Sequence, residues 1–291
     1  MICSPRIVSR TTSRTLKLCT KSVSMAEDAF DFGVGFRLMH SSKSQLVQAL
    51  LRDLRQLDTS SLCDAEKTIA TNRKDREGIR LMSNTIRPMN QRYDSASGTM
   101  AGVARTVSFT EPNDFLPVMR ALVLEAESDE VLVVDTLSST RAVAGEIFVG
   151  EARRKGLAGI VIDGPIRDTA HLDRDLSNDE SDQRTRTPMA MRLYATSITP
   201  YSGTTQSPGE TQQVANCGGV EVRPGDIVVG DDDGVLVGTV ATFSELAPIA
   251  KDIQDIESTL LMDGMISRKT NLEEHVQRRL EGKASNLEFR V

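Results

Sequence analysis

A single α/β domain is the fold class this 291-residue chain predicts, on three observations. Gly159–Ile162 and Val131–Asp135 are short apolar runs rich in β-branched residues, the pattern of strands buried on both faces. Between them, residues 145–155 carry a helical pattern that stops at Gly156, a residue suited to a left-handed helix cap. From Thr187 to Val240 the pattern changes to short strands punctuated by Pro200, Gly203, Gly218-Gly219, Arg223–Asp226 and Asp231–Gly234, the spacing of β-hairpins packed beside an α/β part.

The remaining elements follow in order. Ser44–Leu57 predicts an amphipathic helix with Leu46, Leu50, Leu54 and Leu57 on one stripe. Ser60/Ser61 followed by Asp64 and Glu66 predicts a capped start to the next helix. Residues 98–110 alternate small and apolar residues and predict a strand. Asn113/Asp114 then caps a helix carrying Leu116, Met119, Leu122 and Val123. Arg174–Thr187 is polar and charge-dense, as an exposed loop would be. Ser244–Met262 and Asn271–Leu280 predict terminal helices. No internal repeat and no long linker divides the chain, and its length suffices to bury a sizeable core. With 4% aromatic residues and no Trp, Val, Ile, Leu, Met and Ala must fill that core.

Composition excludes several function classes. The first 24 residues hold Arg6, Arg10, Arg14, Lys17 and Lys21, many Ser and Thr, and no acid before Glu27. That is the composition of an organellar transit peptide, with a disordered basic tail or a start at Met25 as the alternatives. Mitochondrial import is the leading expectation; plastid and cytoplasm are the others. Without those five cations, 30 Lys and Arg stand against 41 Asp and Glu, so the rest of the chain carries no basic footprint for nucleic acid. No apolar stretch reaches the roughly 20 residues of a membrane helix. Cys63 and Cys217 are isolated outside the leader, with no disulfide framework. His40, His171 and His275 form no zinc set and no triad, and no nucleotide-binding glycine motif is present. Asp231-Asp-Asp-Gly lacks the alternating acids and distal Glu of an EF-hand and reads as a hairpin turn.

Two turns carry chemistry. After the strand Gly159–Ile162, Asp163-Gly164 breaks the run, and Pro165 is placed as the first residue of a helix. Arg167 and Asp168 would sit in its first turn, at the sheet edge where open α/β folds build sites. Arg can grip a carboxylate with two hydrogen bonds and Asp can hold a hard cation; a surface ion pair is the plain alternative. After Val131–Asp135, Gly145-Glu-Ile-Phe148 opens a helix whose free N–H groups at residues 146–148 can bind an anion.

Together these segments resemble the RraA-like family, which includes the class II 4-hydroxy-4-methyl-2-oxoglutarate/4-carboxy-4-hydroxy-2-oxoadipate aldolases. The resemblance spans residues 57–240. It runs through Asp58–Ala65, Gly98–Val107, Asn113-Asp114, Val131–Asp135, Gly145–Phe148, Val161–Asp168, Gly218–Asp226 and Gly230–Val237. It implies mixed β/β/α layers akin to swivelling phosphohistidine domains, which we place over residues 43–262, between the leader read from composition at 1–24 and a helical extension at 263–291. It further implies that amides of Gly145, Glu146, Ile147 and Phe148 hold a pyruvyl carboxylate. Arg167 would contact the carbonyl end, and Asp168 would be the one direct protein ligand to Mg²⁺, with Mn²⁺ as a substitute. Ile147 stands where leucine is usual. A helix acid from a neighbouring subunit, Asp255 or Glu257 here, completes the site by the same resemblance. The assembly it implies is a homotrimer or hexamer.

The function implied is a metal-dependent lyase that cleaves 4-hydroxy-2-oxo acids to pyruvate and decarboxylates oxaloacetate through a shared enolate. The alternative is a non-catalytic regulator binding a ribonuclease or other partner protein. Mg²⁺ keeps several waters and often takes one or two protein carboxylates, so a lone Asp168 suffices chemically. Aldol cleavage also needs a base for the C4 hydroxyl, which the residues leave unassigned; decarboxylation does not.

Overall fold

The computed structural model describes residues 44–70, 77–90, 98–172, 191–262 and 276–283. The expected leader, the loop at 174–187 and residues 263–275 lie outside them. Contacts separate residues 1–46 from the unit Val47–Val291, and the architecture below is that of the second unit.

Four parallel strands form its centre: β3 (Met100–Ser108), β4 (Glu130–Asp135), β5 (Gly159–Asp163) and β7 (Arg192–Ala195). The hairpin β12 (Ile227–Gly230)–β13 (Val235–Gly238) extends the sheet antiparallel beside β3, followed by β1 (Arg80–Leu81). β2 (Arg87–Pro88) closes the other side on β7, and β9 (Glu210–Thr211) pairs with the end of β3. Side chains alternate between the two faces of a strand. Leu132, Val134, Ile160 and Ile162 therefore face one cluster, and Val131, Val133 and Val161 the other. Burial on both faces is what the unbroken β-branched runs encode.

On the first face lie helices α3 (Leu116–Arg120), which continues as a π-turn through Glu125, and α4 (Glu146–Lys155). They contribute Val118, Ala121, Leu122, Val149 and Ala152 to the core. Over β12, β13 and β3 pack α1 (44–54), α2 (Thr59–Ala70) and α5 (Val240–Met262), through Leu51, Leu54, Leu62, Phe243 and Leu246. The second face is covered by the hairpin β10 (Ala215–Cys217)–β11 (Val220–Val222), with Met82 and Ile86. The layers are thus helix, sheet and hairpin, the mixed α/β arrangement expected.

Local details depart from expectation for physical reasons. Leu50, Leu54 and Leu57 are buried, whereas Leu46 is 70% exposed, so the stripe begins a turn late. The cap of α2 is Asp58, whose Oδ1 accepts from Ser61 N at 2.6 Å, rather than Ser60 or Ser61. Helix α5 starts four residues earlier than Ser244, because the Thr239 hydroxyl accepts from Thr242 N. Val123 stays half-exposed on the π-turn instead of joining the core. Asp231–Gly234 is the β12–β13 turn, as read. Asp231, nearly buried, accepts from Asp233 N and from both the amide and hydroxyl of Thr59, so its charge anchors α2.

Asn113 and Asp114 share the work expected of a simple cap. Asn113 adopts a positive φ of 66° and its Oδ1 accepts from the amides of Thr140 and Arg141, which ties the loop after β3 to the loop after β4. Buried Asp114 accepts from Leu116 N, Gln206 N, Ser207 N and the Thr204 hydroxyl. Burial pushes its carboxyl up, but these hydrogen bonds outweigh burial and hold it below the usual carboxylate range. A depressed folded-state value stabilises above the unfolded value and is lost as pH falls through the folded one. Asp114→Asn should therefore cost about 2 kcal/mol near neutrality. It should also flatten the stability loss seen below about pH 4, measured by chemical denaturation across pH.

Candidate functional site

The site is built from four segments that leave the carboxyl ends of the parallel strands and pair with one another. Residues 113–115 follow β3 and 142–144 follow β4; residues 165–167 follow β5 and 197–204 follow β7. Phe115 N donates to Thr204 O and Ala142 N to Tyr201 O; Val143 N donates to Pro165 O, Arg167 N to Ala144 O and Thr199 N to Ile166 O. Pro165–Ile166 is consequently a short strand, β6, paired with β8 (Ser197–Ile198), and not the start of a helix. The expectation fails because the carbonyls of Pro165 and Ile166 and the amide of Arg167 are taken by neighbouring segments instead of by helical bonds. A 3₁₀ turn, Thr169–His171, follows.

That correction changes how Arg167 and Asp168 are aimed. Asp168 sits in the left-handed region at φ 60°, a conformation Asp tolerates better than most residues and one that clusters at functional sites. The bend turns its carboxylate back over Gly145. A Cβ built at Gly145 would lie 2.5 Å from Asp168 Oδ2 and 3.1 Å from Arg167 Cγ, so a side chain there would fill the space these two residues share. Arg167 Nε donates to Asp168 Oδ2 at 3.2 Å, and both side chains keep roughly a third or more of their surface in solvent.

Gly145 is the N-cap of α4, and no side chain caps that terminus. The first amides of a helix have no partner within it, and its dipole favours an anion there. At the far end Arg153, Arg154 and Lys155 match the opposite pole, and Gly156 closes the helix at φ 75°.

These parts meet in a cleft of about 90 Å³, lined by Phe115, Ala142, Val143, Ala144, Gly145, Ile147, Phe148, Arg167, Asp168 and Ser202. Phe115 and Phe148 make one apolar wall, their rings edge to face at 6.0 Å. Arg167, Asp168 and Ser202 make the polar one. Ile147 stands at the mouth, 80% exposed. Of the residues expected from the two turns, Gly145, Ile147, Phe148, Arg167 and Asp168 line the cleft, while Glu146 lies in the first turn of α4 and is not part of that lining. It does not bring Asp255, Glu257 or His171 into this lining. Asp255 is exposed on α5 and pairs with Lys251.

Phe115 and Ser202 were not anticipated. The signal for Phe115 was its place directly after Asn113-Asp114, on the loop after a parallel strand. Ser202, in a Pro-Tyr-Ser-Gly loop, carried no signal. The acids that close β4 and β5 serve the opposite face: Asp135 accepts from Leu137 N and Asn216 N, and Asp163 from Gly218 N, holding the β10–β11 hairpin. Cys217 ends β10 of that hairpin, its thiol pushed far up by burial and by those two carboxylates, and is a core residue.

One carboxylate facing an open cleft, beside a cradle that a Cβ would fill, fits a hard cation that retains its waters and takes further oxygens from a substrate. No group of three or more metal-binding side chains occurs among the described residues, so a closed, protein-only metal cage is not the arrangement here.

An α/β domain in which an uncapped helix terminus, an arginine and a carboxylate meet in a cleft at the edge of parallel strands is the class this geometry defines. The chain belongs to the Aldolase/RraA family: the RraA-like family model matches residues 59–177 and 181–237, more than half of its length. A protein of Halalkalibacterium halodurans, named provisionally as a 4-hydroxy-4-methyl-2-oxoglutarate aldolase, is 33% identical over 162 residues, 55% of this chain and 67% of that one. A Cupriavidus necator protein of the same provisional name is 30% identical over 62% of this chain and 93% of its own. Among solved structures, Streptomyces coelicolor RraAS2, described as an unusual member of the RNase ES inhibitor RraA family, superposes with a TM-score of 0.56. It is 26% identical over 74% of this chain and 96% of its own.

Proposed function

We propose that the chain is a divalent-metal-dependent lyase that releases pyruvate from oxaloacetate and from 4-hydroxy-2-oxo acids of the 4-hydroxy-4-methyl-2-oxoglutarate type. The observation that carries this reading is the convergence of Asp168, Arg167 and the uncapped α4 terminus at Gly145 in one cleft. The names of the aldolase relatives support it.

In this reading the amides at the start of α4 bind the carboxylate of the 2-oxo acid. Arg167 lies against the carbonyl end and offsets the negative charge that develops there as the C3–C4 bond breaks. Phe115 and Phe148 keep water from the enolate carbon. Asp168 would hold Mg²⁺ or Mn²⁺, which supplies a Lewis acid at the keto oxygen when bound. Among the described residues, the lining offers no second carboxylate, His or Tyr to act as base. Decarboxylation of oxaloacetate, which needs none, is therefore the activity the chain's own cleft completes. Aldol cleavage needs a donor from elsewhere, and Asp255 or Glu257 of a second copy is our candidate.

A head-to-tail ring, trimeric or stacked as a hexamer, would give each cleft the same donor. Ile147, apolar and exposed at the mouth, supports a covered surface there. Light scattering with parallel assays checks this: a fully active species at the monomer mass would rule out a shared site.

The central test is oxaloacetate turnover by the purified chain. Pyruvate release is expected with Mg²⁺ or Mn²⁺ and should stop with EDTA. Turnover indifferent to EDTA would defeat the metal role. No turnover with either metal, in a folded chain, would favour a non-catalytic regulator, the role suggested by the description of RraAS2.

A further inference from the structure

Resting on the lyase reading above, we infer that Phe148, braced edge-on by Phe115, makes the site strict for the pyruvyl end of its substrate and permissive beyond it. The cleft is about 90 Å³. Sites that engulf a whole ligand measure about 300–1,000 Å³. The walled part of the cleft therefore holds only part of a ligand, which on the lyase reading is the three-carbon 2-oxo acid unit. Whatever leaves from that unit, carbon dioxide or a carbonyl compound, lies at the open mouth past Ser202 and exposed Ile147.

The wall around the three-carbon unit is not compliant. Residues 142–144 are backbone-paired on both sides, to Tyr201–Gly203 and to Pro165–Arg167, and their side chains are nearly solvent-free. Phe148 packs against the main core cluster, and the Phe115 ring meets it at 89°. A branch at C3 of the substrate, added to the bond that breaks, would have to displace this ring pair. The ring pair therefore selects substrates with a plain CH₂ at C3. One methylene more or less in an apolar pocket is worth about 10- to 200-fold in discrimination.

The reaction compared is C3–C4 cleavage: the C3–carboxylate bond breaks, carbon dioxide leaves, and the electron pair forms an enolate that takes a proton from water at C3. Oxaloacetate yields pyruvate, and 3-methyloxaloacetate yields 2-oxobutanoate. With Mg²⁺ present and the uncatalysed rate subtracted, the wild-type chain should favour oxaloacetate in kcat/KM by about tenfold or more. Phe148→Ala should narrow that ratio at least fivefold, and Phe148→Leu, which keeps the core filled, should narrow it less. Circular dichroism establishes that each variant is folded. Equal turnover of the two substrates by the wild-type chain, or an unchanged ratio in both folded variants, overturns the inference and leaves the lyase reading standing. Turnover of neither substrate by the wild-type chain brings down both.

Discussion

Asp168→Ala should abolish metal-dependent oxaloacetate decarboxylation, with a loss of about a thousandfold or more. The expectation follows from Asp168 being the one carboxylate among the described residues that line the cleft. A bound cation contributes several kcal/mol of charge stabilisation, and about 4 kcal/mol corresponds to a thousandfold in rate. Alanine is poorly suited to the left-handed conformation at residue 168, so Asp168→Asn is the informative companion. Asparagine tolerates that conformation and matches the shape, yet it lacks the charge that holds a divalent ion. Both variants should lose turnover, and Asp168→Asn should unfold within about 0.5 kcal/mol of wild type, since its partner Arg167 is substantially exposed. Near-normal turnover in either variant would show that the metal is held elsewhere. Gly145→Ala tests the same space from the other side: its methyl would fall against Asp168 Oδ2, and activity should drop although neither charged residue is altered.

Arg167→Lys should cost about a hundredfold in kcat/KM while leaving the fold intact. The guanidinium engages Asp168 through Nε, which leaves its two terminal nitrogens for a planar substrate group. A lysine ammonium is one point charge and cannot serve both partners in that geometry. The effect should appear in kcat as much as in KM, because charge at the carbonyl end grows as the bond breaks. A change confined to KM would mean that Arg167 only binds the substrate carboxylate.

The α/β class, the strands at 131–135 and 159–163, and helix α4 with its Gly145 and Gly156 ends were legible in sequence. They rest on short-range rules: alternation on a strand, helical period, and the few residues that start or stop a helix. Asp168 and Arg167 were legible as residue types and as members of a family pattern. Their orientation was not. Pro165 is a good first residue for a helix when only its neighbours are considered. It became a strand because Val143, Ala144 and Thr199, distant in sequence, take the backbone groups of residues 165–167. Asp135 and Asp163 end strands at the same sheet edge as the site, yet alternation along the strands turns them to the face covered by the β10–β11 hairpin.

Sequence alone therefore determined the strands at 131–135 and 159–163, helix α4 with its two ends, and which side chains carry chemistry, because those properties depend on residues a few positions apart. Tertiary structure alone decided that Asp168 bends back over Gly145, that Phe115 and Ser202 join the cleft, and that α5 lends it no acid from within the chain. Those outcomes depend on backbone hydrogen bonds between loops that leave four different strands, and no local pattern encodes which loop will lie beside which.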